Sequence, residues 1–146
     1  MFYDTGLNLL PCNKSLHNDI AYGLNNEPIV IDRLTKYFGE EIEKTKSKYC
    51  YYDAFSSNTK YEIKSRRCRY DTYSTTIIPI HKIKENEESR LVFVFHFTDG
   101  LYYIVFNKDL FETFEIKEFI YYRQGCANLP VKHFLIPIEC LLKIDL

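Results

Sequence analysis

The stretch from Asp53 to Lys64 holds an acid, a short turn, and then a second acid, Glu62, separated from Lys64 by one residue. Tyr49-Cys50-Tyr51-Tyr52 before it is rich in strand formers. Ser56-Ser57-Asn58 supplies turn chemistry, and Lys60 to Arg67 alternates apolar and polar. Side chains alternate across a strand, so Glu62, Lys64 and Arg66 share one face and Tyr61, Ile63 and Ser65 the other. A hairpin with this turn returns Asp53 beside Glu62, and two carboxylates and an ammonium converge. That set suits magnesium, which takes oxygen ligands, commonly one or two carboxylates with water and substrate phosphate. Such an ion lowers the pKa of a bound water and offsets charge on a phosphoryl group. The same Glu-x-Lys pattern also suits an exposed, charged strand face, and the spacing alone leaves both readings open.

The chain must supply a domain able to hold that hairpin rigid. Its 146 residues fit one domain with a real hydrophobic core, and an apolar content of 46% excludes a disordered chain. Net charge is −1, which argues against nonspecific coating of nucleic acid. Basic charge is local instead. Lys60, Lys64, Arg66, Arg67 and Arg69 fall in a run interrupted by one acid, Glu62. Such a run meets a phosphate backbone or forms a solvated edge. The 13 Tyr and 11 Phe fit a Lys-, Asn- and Ile-rich composition as readily as they fit base stacking.

Cys12, Cys50, Cys68, Cys126 and Cys140 are odd in number and widely spaced, which predicts reduced thiols and no zinc site. His17, His81, His96 and His133 show no metal-ligand spacing. Met1-Phe2-Tyr3-Asp4 lacks the basic start of a signal peptide, and no run reaches membrane-spanning length. The expectation is a soluble protein of the cytoplasm or nucleus, with no membrane partner.

The clearest element is a helix in which Val30, Ile31, Leu34, Tyr37, Phe38 and Ile42 recur at three- and four-residue steps. Residues 1–23 read as an irregular lead-in, with Asn25 or Asn26 as cap, Pro28 in the first turn, and Gly39 as a mild interruption. Glu27 then projects along the buried stripe from the first turn, either for a function or because the helix dipole favours an acid there. Beyond the hairpin, Asp71 to Ser74 is a turn. Thr75 to Lys82 is an irregular or short helical connection, since Pro79 disfavours a central strand, and Lys84 to Ser89 is a loop. Leu91 to Phe97 and Leu101 to Phe106 form a hairpin about Asp99-Gly100, apolar enough to be covered on both faces. A short helix from Asn107 to Phe114, a strand or helix tail at Ile116 to Arg123, and a loop at Gly125 to Pro130 follow. His133 to Ile136 is a short strand, and Pro137 to Ile144 a closing helix.

On these residues the chain resembles the PD-(D/E)XK nuclease superfamily. The resemblance rests on Gly23-x-x-x-Glu27 opening the helix, Asp53 at a strand end, and Glu62-Ile63-Lys64 on the next strand. Tyr52 stands where many members have proline before the acid. It implies an α/β (α+β) restriction-endonuclease-like core, a central mixed sheet flanked by helices, over about residues 23–106. Residues 107–146 would be a C-terminal extension of the single domain. It further implies magnesium or manganese on Asp53, Glu62 and the Ile63 carbonyl, Lys64 orienting water, and Glu27 at a second metal or water. DNA would be cut, with Arg66, Arg67, Arg69 and Lys82 on backbone phosphates, and a homodimer would cut both strands. Tyr61 to Arg67 with Thr75-Thr76 is also similar to small nuclease-like proteins of large DNA viruses and phages, which would place the chain in an infected cell. The competing readings are a non-catalytic nucleic-acid- or protein-binding module on the same fold, and an interaction protein with a surface Glu62–Lys64 ion pair. Intact Asp53, Glu62 and Lys64 favour the nuclease, because an inactive relative is free to lose them.

Overall fold

A computed structural model describes residues 13–47, 50–84, 88–120 and 129–145. The chain runs α1 (Asn13–Phe38), β1 (Glu43–Lys44), β2 (Ala54–Phe55), β3 (Thr59–Ser65) and β4 (Thr75–Pro79), which ends in a 3-10 turn, Ile80–Lys82. It continues through β5 (Arg90–Phe97), β6 (Gly100–Val105), α2 (Lys108–Phe111), β7 (Glu115–Ile120) and β8 (Pro130–Pro137). A second 3-10 turn, Ile138–Cys140, leads into β9 (Leu142–Lys143). The architecture is α+β. Six strands form one mixed sheet in the order β1-β2-β3-β5-β6-β9, and β4-β8-β7 form a smaller antiparallel sheet. Within the large sheet only β3 and β5 run parallel, with Tyr61 opposite Val92 and Ile63 opposite Val94.

Alternation along β5 and β6 builds two cores, one on each face of the large sheet. On one face Val92, Val94, Leu101 and Tyr103 meet Val30 and Leu34 of α1, with Tyr61 and Ile63 of β3. On the other, Leu91, Phe93, Phe95 and Ile104 meet Ile78 of β4, Ile136 of β8, and Phe111 of α2. The expected flanking by helices holds for the first face. The second is covered mainly by the small sheet. Residues 107–145 are thus no appendage, since they supply two strands of that cover and the edge strand β9.

The tight turn into β3 follows expectation, closed by the Ser56 N–H donating to the Thr59 carbonyl at 2.8 Å, but the strand before it is Ala54–Phe55 and not Cys50–Tyr52, so Asp53 precedes that strand instead of ending one. The β5–β6 hairpin and the Asn107 cap on α2 follow as well, with Asn107 Oδ1 accepting from Leu110 N–H at 3.0 Å. Four further expectations are corrected. The helix already runs at Asn13, so Asn25 and Asn26 are no caps and Pro28 is internal. Proline there removes one rung of the hydrogen-bond ladder, while Val30 and Leu34 keep the helix on the sheet. Second, Gly39 ends the helix outright: at φ 65° its N–H donates to the Thr35 carbonyl at 3.0 Å. Third, Thr75–Pro79 is a strand, and Pro79 fits because it ends an edge strand. Fourth, Pro137 starts no helix, because a 3-10 turn delivers Leu142 and Lys143 to pair with β6. Among the expected pieces, Tyr49, most of the loop before Ser89, and the segment 121–128 lie outside the described residues. No described helix is long and apolar enough to cross a membrane.

Candidate active site

Asp53 immediately precedes β2, and its backbone is held from two sides. Its N–H donates to the Tyr61 carbonyl and its carbonyl accepts from the Thr45 N–H, both at 2.8 Å. Ladder pairing between β2 and β3 stops at Ala54 opposite Tyr61, which leaves Asp53 one step on, opposite Glu62. There the side chain replaces the missing strand: Asp53 Oδ2 accepts from the Ile63 N–H at 2.7 Å. The N–H and C=O of a strand residue point the same way, so the Ile63 carbonyl also faces the Asp53 side.

Glu62 is 3% exposed, which removes the reading of a solvated strand face. Its Oε1 is held by two ammonium groups, Lys64 at 3.1 Å and Lys82 at 3.3 Å. Its Oε2 is buried without a hydrogen-bond partner. A buried carboxylate oxygen left bare is costly, and its environment calls for a cation or a donor. Asp53 carries the matching signature. Desolvation chiefly, and then the Glu62 charge, push its carboxyl up to about 7; Glu27 adds to the push, while the Ile63 N–H and Lys64 oppose it. Two carboxylates crowded in this way are what a hard divalent ion relieves. Among the described residues no three His, Cys, Asp or Glu side chains converge on one point. An ion here would therefore rest on Asp53, Glu62, the Ile63 carbonyl and water, a set that magnesium tolerates.

Glu27 lies inside α1 rather than in its first turn, so the helix-dipole explanation lapses. It pairs with Lys44 at 3.2 Å, near enough to Asp53 for its charge to act there. The basic residues disperse. Arg66 is only 9% exposed and donates from Nη2 to the Ile77 carbonyl at 3.0 Å, so it ties β3 to β4 rather than lying open to a phosphate. Arg67 is exposed over the Tyr22 ring at 4.8 Å. Arg69 sits 3.7 Å from both Asp71 and Asp99. Of the four cations expected on phosphates, Lys82 alone joins Lys64 at the site, on Glu62 rather than on the surface.

Two histidines border these cations. His133 is fully buried in β8, with Nδ1 2.8 Å from the Val131 carbonyl, so that nitrogen carries the donated hydrogen. Burial above all, with Arg66, Lys64 and His81 nearby, pushes its imidazole down to about 4. Burial and then Lys82, Lys84 and Lys64 lower His81 as well. Sequence spacing carried no signal for either, because their approach depends on how the small sheet packs. Cys50, Cys68 and Cys140 are free thiols, and Cys12 and Cys126 fall outside the described residues. No protein-family model, no curated protein and no solved structure matches this chain.

Proposed function

We propose that this protein is a metal-dependent endonuclease that hydrolyses DNA phosphodiester bonds, built on a variant of the restriction-endonuclease-like core. One observation carries the reading: the bare, buried Oε2 of Glu62 beside an Asp53 carboxyl raised to about 7. Magnesium or manganese, when bound, supplies an acidified water and neutralises charge on the phosphoryl oxygens. The chain's own groups do the rest. Asp53 and Glu62 hold the ion, and the Ile63 N–H fixes the Asp53 carboxylate through its Oδ2. Lys64 and Lys82 share Glu62 Oε1. Lys64 orients the attacking water or steadies the phosphate, and Lys82 holds Glu62 in place. Glu27, whose charge is felt at Asp53, would serve a second ion or a water. A second copy would be required to cut both strands at one locus.

The Lys64–Glu62–Lys82 cluster favours one other reading, a structural ion triad on a non-catalytic module. Cleavage of supercoiled, linear, single-stranded and four-way-junction DNA separates the two, run with magnesium, manganese or EDTA. The nuclease reading expects metal-dependent cutting that falls by roughly 100-fold or more in Asp53→Ala and Lys64→Ala. No cutting, together with no manganese binding by titration calorimetry, leaves the triad.

A further inference from the structure

Lys60 stands two positions before Glu62 on β3, and so on the same face. Its ammonium donates to the Tyr51 hydroxyl at 2.9 Å and lies 5.3 Å from the Tyr51 ring centre and 5.0 Å from that of Tyr52. Lys84, just beyond the 3-10 turn, places its ammonium 5.2 Å from the Tyr51 ring. Lys82 reaches the Tyr51 carbonyl at 3.4 Å while holding Glu62. The two rings meet edge to face with centres 4.9 Å apart. Both are half-buried, and neither belongs to any of the three apolar clusters, so core packing does not account for them. Their chain position is decisive, since Tyr51-Tyr52 runs directly into Asp53.

We infer that Tyr51 and Tyr52, with Lys60 and Lys84, form a platform for an unpaired nucleic-acid strand that leads its phosphate to Asp53 and Glu62. This deepens the nuclease reading and rests on it for the role of the site, though not for binding. Paired bases present only their edges in the grooves, whereas an unpaired base offers a face to a tyrosine ring. Lys84 is exposed, and a lysine over a ring at such a position is a weak contact, so an incoming base displaces it readily and frees it for a phosphate. The substrate class is therefore single-stranded DNA or the unpaired arm of a branched DNA.

The test is fluorescence anisotropy in EDTA, where no cutting intervenes, with a labelled 20-mer of thymidylate and a duplex of equal length as probes. The wild type binds the single strand at least about 10-fold more tightly than the duplex. The Tyr51→Ala/Tyr52→Ala variant loses about 10-fold or more on the single strand, and Tyr51→Phe/Tyr52→Phe keeps most of it. Lys60→Gln/Lys84→Gln reduces the salt dependence by roughly 1.4 in the log–log slope, which tests the platform without altering the rings. Equal affinity for duplex, or single-strand binding unchanged in both the alanine and glutamine variants, overturns the platform. Cutting assays on the same preparations separate the two ideas. Single-strand binding without metal-dependent cutting upholds the platform and sinks the nuclease. Cutting of duplex without single-strand preference does the reverse.

Discussion

Arg66 and Arg69 lie three positions apart, yet their chemistry differs completely. The Arg66 guanidinium is buried, bonded to the Ile77 carbonyl and 5.9 Å from the Phe95 ring centre. Arg69 is exposed, with two carboxylates at the margin of ion-pair distance. Truncating Arg66 to alanine leaves a buried acceptor bare and opens a void, and should cost about 2–3 kcal/mol in urea unfolding. Arg69→Ala should cost no more than about 0.5 kcal/mol, because exposed pairs contribute little. Comparable losses for both would refute this division of roles. From sequence the two are alike, members of one basic run. What separates them is the cover laid over β3 by β4, and no local pattern carries that. Asp53, Glu62 and Lys64 were legible for the opposite reason: they are brought together by a tight turn and strand alternation, both local.

Among the elements, the periodicity of Val30 and Leu34 marks α1, but neither of its ends carries a local signal. Pro28 suits a helix start because proline commonly opens helices, and nothing local reveals that the helix continues through it. Gly39 reads as a mild interruption because the apolar rhythm reaches Ile42. That residue is indeed buried, but from the strap beyond the helix. The glycine at φ 65° turns the chain there, and a Cβ on it would meet nothing within 4 Å. Gly39→Ala should therefore lower stability by about 1 kcal/mol through backbone strain alone, and Gly39→Asn by less. Thermal unfolding of the pair checks this, and equal losses for both would point to packing instead. The short strands β1, β2 and β9 leave no mark in the sequence because two residues carry no period.

For the whole molecule, Asp53 and His133 set opposing pH dependences. Asp53 is raised from 3.8 to about 7, so the stability tied to its neutral form is complete below 3.8 and lost as pH climbs through about 7. His133 is lowered from 6.5 to about 4, so its contribution is complete above 6.5 and lost as pH falls through about 4. Between about 4 and 6.5 the two slopes oppose each other. Asp53→Asn keeps an acceptor for the Ile63 N–H while removing the charge. In EDTA at pH 8 it should be more stable than wild type by on the order of 1 kcal/mol, with a steeper loss below pH 6.5. Calorimetric melting across pH 4–8 measures both. Magnesium at pH 8 should raise the wild-type melting temperature and leave the variant unmoved. A variant that melts lower at pH 8 and responds to magnesium would show that Asp53 is not the strained group.

The two sheets are threaded through one another. The chain leaves the large sheet after β3, lays down β4, and returns as β5; it leaves again after β6, lays down β7 and β8, and returns as β9. Neither sheet can be completed before the other is under way, and the pairings that close the large one, Tyr61 with Val92 and Tyr103 with Leu142, join distant parts of the chain. High contact order of this kind means slow, concerted folding and a single unfolding transition. It also means that the β2–β3 hairpin, though local in sequence, has no independent existence. Its rigidity is borrowed from β5, which pairs along the whole of β3 from across the β4 excursion, so damage to β5 reaches Glu62 as loss of the sheet and not as a loosened loop.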